Sequence, residues 1–151
     1  MEKKYKTEKD SKTGLLRIIA LKDFSDVKKG DKGGLIDNEE NLSHEGGCWV
    51  YDNAKVYGNA VIFGSASVYG NARVGGRTMA WLWANIGGNV KLWSPKTCYI
   101  SNFIENNKDY IILAIKREFR IISFSNIDRD LVKEDYLKNV KTIRRLYGEE
   151  I

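Results

Sequence analysis

An apolar residue returns at every sixth position from Val50 onward: Val50, Val56, Ile62, Val68, Val74, Ala80, Ile86 and Leu92. Four residues after each of the first seven stands a small or modest one: Ala54, Ala60, Ala66, Ala72, Thr78, Ala84 and Val90. Glycine follows the apolar position by two at Gly58, Gly64, Gly70, Gly76 and Gly88. A period of six is neither helical nor a simple alternation. It fits a short strand, a corner and another strand, with the branched residue inward and Gly or Asn supplying the corner's dihedrals. Three such sides close a coil of about eighteen residues, and coils stack by strand pairing at about 4.8 Å. The spacing predicts a parallel β-helix and leaves its handedness open.

The flanks differ in character. Residues 1–14 are lysine-rich with few apolar anchors and read as a flexible basic arm. Residues 15–96 hold the β-helix, whose first coils are irregular; "LLRIIALKDF" reads as a strand and "KKGDKGG" as a turn-rich connection. After Pro95 the period is lost. Residues 97–151 read as a strand hairpin plus a C-terminal helix. "CYISNFI", "DYIILAI" and "FRIISFS" are its strands, and the Lys116–Glu118 stretch is its turn. Asn126 or Asp128 caps a helix running to about Tyr147, and Gly148 stops it. This small α+β cap would cover the open end of the β-helix, whose bare strand edges invite aggregation. The expected class is mainly β.

Composition narrows the function classes. There is no apolar run of 18 residues and no charged-then-apolar leader, so a cytoplasmic protein away from membranes is expected. Cys48 and Cys98 have neither metal-type spacing nor the density of a disulfide scaffold. One histidine and two separated cysteines do not make a set of metal ligands, so neither metal nor cofactor is expected. The glycines are explained by the repeat corners, which removes the case for a phosphate-binding loop. The net charge of +5 mildly favours anionic partners. Its surplus sits in residues 1–32 (ten bases, six acids) and 49–98 (five bases, one acid).

The stretch Arg17 to Ala60, with "RIIALKDFSDVKKGDKGGLI" and "ENLSHEGGCWVYDNAKVYGNA", followed by further "VYGNA"-like units, resembles a group of small phage and prophage hexapeptide-repeat proteins. That group is related in fold to the hexapeptide transferases. The resemblance covers residues 15–92 best. It implies a left-handed β-helix, and hexapeptide β-helices of this kind commonly form trimers.

Stacking residues eighteen apart sorts the outward positions into three faces. The face around Ile62, Ala80 and Cys98 carries Val61, Phe63, Met79, Trp81 and Tyr99 outside. Such an apolar surface marks a subunit contact, unless the C-terminal module folds back over it. The face around Val56, Val74 and Leu92 carries Lys55, Arg73 and Lys91 in a ladder, with Tyr57 and Trp93 beside them. Stacked like charges repel and invite an anion, and the aromatics could stack a base. An ordinary solvated face looks the same and is the more common case. The face around Val50, Val68 and Ile86 shows Trp49, Tyr51, Ser67, Tyr69 and Asn85, and reads as plain surface or a second contact.

Transferases resembling this fold usually employ a histidine as general base, since the chemistry needs a group titrating near neutrality. The only histidine is His44, beside Glu45, and it stands as the weak catalytic candidate. Lys138, Lys141 and Arg145 would share one side of the C-terminal helix, where a solvated face is the plainer reading. The expected function is a non-catalytic, homotrimeric binding protein of phage type. It would counteract host defence by binding a negatively charged nucleotide signal or a defence protein such as a CRISPR effector. The alternative is an acyltransferase with His44 as base.

Overall fold

Among the described residues, eleven strands form one continuous sheet, whose parallel-paired middle part winds around an apolar axis. The structure is a computed structural model. It describes the backbone of residues 2–101, 103–115 and 118–123, and the side chains of residues 2–94 and 97–101. The strands are β1 (Tyr5–Lys9), β2 (Leu16–Ala20), β3 (Lys32–Ile36), β4 (Trp49–Val50), β5 (Lys55–Val56) and β6 (Val61–Ile62). They continue as β7 (Ser67–Val68), β8 (Arg73–Ala80), β9 (Asn85–Ile100), β10 (Phe103–Ile115) and β11 (Glu118–Ser123).

The repeat positions fall where the period places them. Val50, Val56, Ile62, Val68, Val74, Ala80, Ile86 and Leu92 are all fully buried, and so are the second positions from Ala54 to Val90. Parallel pairing joins equivalent positions eighteen apart: Val50↔Val68, Val56↔Val74, Ile62↔Ala80 and Val68↔Ile86. Successive coils thus lay aliphatic side chains directly on one another. The corners share one conformation. Gly46, Asp52, Gly58, Gly64, Gly70, Gly76, Leu82 and Gly88, six apart, all have positive φ. This is the region that L side chains avoid, which is why glycine dominates there.

Parallel stacking runs past Pro95, where the period seemed to end in sequence. Ser94 still pairs eighteen from Gly76, but Cys98 pairs with Thr78, twenty apart. The two extra residues shift the phase. The inward partner of Ala80 is therefore Ile100, not Cys98, although both are buried. β10 then pairs parallel to β9, with Ile104 opposite Ile86 and Ile112 opposite Leu92. The antiparallel hairpin comes only at β10–β11. The helix expected between Asn126 and Tyr147, with Lys138, Lys141 and Arg145, lies outside the described residues.

The basic start is not a loose arm. β1 pairs antiparallel with β2, and β2 with β3, which leads into the first coil. One aromatic side chain is the reason. Tyr5 is fully buried, stacks on His44 with ring centroids 4.1 Å apart, and packs edge-on against Trp49. Its hydroxyl donates to the Leu42 carbonyl (2.7 Å) and the Glu39 carbonyl (3.0 Å). Trp49, read as outward surface, is buried beneath Tyr5 and Phe24.

Candidate functional site

The basic ladder is in register. Lys55 of β5 pairs with Arg73 of β8, and Arg73 with Lys91 of β9. The three are not equally available. Lys55, Tyr57 and Arg73 are half-buried, whereas Lys91 and Trp93 are buried. The accessible site is the first three. Burial draws the Lys55 ammonium below its ordinary pKa, the Arg73 guanidinium adds to this, and Asp10 opposes it. Burial pushes the Tyr57 hydroxyl upward, so it remains a hydrogen-bond donor at neutral pH.

A further cation belongs to the same outward row. Arg17 pairs with Leu35, and Leu35 with Lys55. The Arg17 guanidinium donates to the Gly33 carbonyl at 3.0 Å, which holds it at the edge of the site. The repeat could not reveal Arg17, because the antiparallel hairpin that places it lies outside the six-residue pattern.

The apolar face is also assembled as an aromatic run. Val61 pairs with Met79, and Met79 with Tyr99. Phe63 and Trp81 have ring centroids 6.1 Å apart, and Trp81 meets Tyr99 edge-on at 5.9 Å. Val61, Phe63 and Met79 are half-buried, while Trp81 and Tyr99 are exposed.

His44 is held in a way that bears on its chemistry. Its Nδ1 accepts the backbone N–H of Lys4 at 3.1 Å while its ring lies against Tyr5. A neutral imidazole has one acceptor nitrogen, so this bond places the proton on Nε2. The lone pair that a general base needs is already engaged. Beneath it, the buried Lys4 ammonium donates to the carbonyls of Gly46 (3.3 Å) and Cys48 (2.7 Å) and to Cys48 Sγ (3.4 Å). It also lies 4.7 Å from the centre of the Phe24 ring. Burial lowers the Lys4 pKa and raises that of the Cys48 thiol, which leaves the thiol protonated and unreactive.

Burial lowers the His44 pKa below its ordinary 6.5; Glu39 opposes this, and Lys3 and Lys4 reinforce it. The unfolded chain therefore takes up the proton first as the pH falls. Stability is expected to decline from about pH 6.5 downward, until the pH passes the depressed native value. Urea midpoints measured across that range should show the decline, and His44→Gln should flatten it. An unchanged slope in His44→Gln would assign the decline to another group.

Among the described residues, no group of three or more His, Cys, Asp or Glu is placed to hold a metal ion. No described helix is long and apolar enough to cross a membrane. No family model matches the chain. Over 58 residues it is 50% identical to a protein of Escherichia coli (strain K12) described as an uncharacterized acetyltransferase, YdcK. The matched stretch is 37% of this chain and 18% of YdcK, so the chain spans under a fifth of that relative's length.

Proposed function

We propose that this protein is a non-catalytic, self-associating β-helix scaffold that binds an anionic ligand such as a nucleotide on the Lys55–Arg73 face. One observation carries the reading. Pairing of adjacent coils sets Lys55 against Arg73, and Arg73 helps depress the Lys55 pKa. An anion bound across both would relieve that repulsion, with the Tyr57 ring beside it. Self-association would use Val61, Phe63, Met79, Trp81 and Tyr99. An action against host defence follows from the resemblance to phage proteins and would employ the same cationic face.

The test is fluorescence anisotropy with a fluorescently labelled nucleoside triphosphate. The double variant Lys55→Glu/Arg73→Glu is expected to weaken binding by at least about tenfold, and added salt should weaken wild-type binding. Unchanged affinity in the double variant would remove the site.

The match to YdcK favours a second reading, acyl transfer with His44 as base. The engaged Nδ1 of His44 speaks against it. Turnover of acetyl-coenzyme A by the wild type, lost in His44→Ala, would replace the scaffold reading with this one.

A further inference from the structure

We infer that the anionic ligand of the Lys55–Arg73 face is a single strand of nucleic acid, laid along the β-helix axis across Arg17, Lys55 and Arg73. This deepens the proposed binding function and rests on it. The row of cations runs across its strands. Arg17 of β2 stands opposite Leu35 of β3, Leu35 opposite Lys55 of β5, and Lys55 opposite Arg73 of β8. Three strand steps of roughly 4.8 Å set the outer two cations about 14 Å apart along the backbone. The row lies on the outer face of a sheet, whereas small-molecule sites are concave and enclose most of their ligand. A polymer needs no such enclosure, because each phosphate neutralised adds its share of affinity through counterion release. One file of cations matches one strand, with the Tyr57 ring beside it.

The footprint has two ends. Glu8 of β1 stands opposite Arg17 and lies 3.9 Å from the Lys6 ammonium, so an acid closes the row on that side. On the other side the next residue in register, Lys91, is buried. The Arg17 guanidinium donates to the carbonyls of Gly33 (3.0 Å) and Asp52 (3.4 Å), which fixes it in place. Guanidinium has five N–H donors, so others can meet a phosphate. One acid opposes the arrangement. Asp10, in the β1–β2 turn, acts electrostatically on both Arg17 and Lys55. Its carboxylate accepts the Thr13 N–H at 2.9 Å and the Thr13 hydroxyl at 2.6 Å, and so is held within the turn.

Fluorescence anisotropy with a labelled thymidine dodecamer, set beside the labelled nucleoside triphosphate, decides the matter. Circular dichroism melts show that each variant is folded. The dodecamer is expected to bind at least about tenfold more tightly at low salt. Its log affinity should fall with log salt at a slope of about −2, from three phosphate contacts at ~0.7 each. Arg17→Gln should bring that slope to about −1.4 and weaken the dodecamer more than the triphosphate. Asp10→Asn, which keeps an acceptor for Thr13, should strengthen dodecamer binding. Equal affinity for the two probes, or a slope untouched by Arg17→Gln, would overturn the single strand. The anionic site itself would still stand if Lys55→Glu/Arg73→Glu weakened triphosphate binding. Displacement of the dodecamer by poly-glutamate at equal charge, or equal binding of a duplex, would also overturn the single strand. Unchanged affinity of both probes in the double variant would overturn the strand and the site together.

Discussion

Tyr5→Ala is expected to lower the free energy of unfolding by about 3–5 kcal/mol, the usual cost of truncating a buried aromatic. The side chain is fully buried between His44 and Trp49 and closes the start of the β-helix. Tyr5→Phe should cost less, about 1–2 kcal/mol, since only the hydrogen bonds to the Leu42 and Glu39 carbonyls are lost. Urea unfolding of both variants gives the two figures. A loss below about 1 kcal/mol in Tyr5→Ala would mean that residues 1–14 behave as the loose arm their composition suggests. A large loss would make the antiparallel β1–β2–β3 sheet part of the folding unit.

The second large effect concerns the corners. Gly76 has φ of 68°, and a Cβ there would overlap the Ser94 carbonyl oxygen of the next coil. Gly58 has φ of 59°, but the nearest atom to its Cβ would be 3.7 Å away. Gly58→Ala should therefore meet only left-handed strain, about 1–2 kcal/mol. Gly76→Ala adds overpacking against backbone, a further ~1–3 kcal/mol. The difference between the two thermal or urea transitions isolates the cost of the close approach. Equal losses would show that Ser94 gives way freely.

Much of the architecture was legible because the β-helix repeats its own instructions. Each coil states again which residue is inward and where the corner lies, so Val50 through Leu92 could be assigned by counting. The first misreading came where a single residue carries the information. Nothing periodic marks Tyr5, and five lysines among the first fourteen residues suggest solvation. The second came at the two-residue shift before Cys98, because a phase change leaves no signal in an irregular stretch. Tyr99 was assigned to the right face, but its partner across the coil is Met79. The candidate site was legible as a ladder and not as an accessible surface. Lys91 and Trp93 stand at outward positions, yet their burial depends on what packs over them, which spacing does not encode. Arg17 was missed for the converse reason, since antiparallel pairing brings it to the row from outside the repeat.

The eighteen-residue registration of Lys55 with Arg73 also governs how such a chain can change length over evolution. Duplicating or deleting one whole coil would lengthen or shorten the rod while leaving every surface stripe aligned. Gaining a single hexapeptide would keep the interior intact but turn everything after it by a third of a revolution. The cationic stripe would then continue on the face that had carried aromatics. Selection on the interior alone would accept both changes, whereas selection on the stripes would accept only the first. Length differences among natural relatives of this rod should therefore come in steps of eighteen wherever its outer surface matters, and in steps of six wherever it does not.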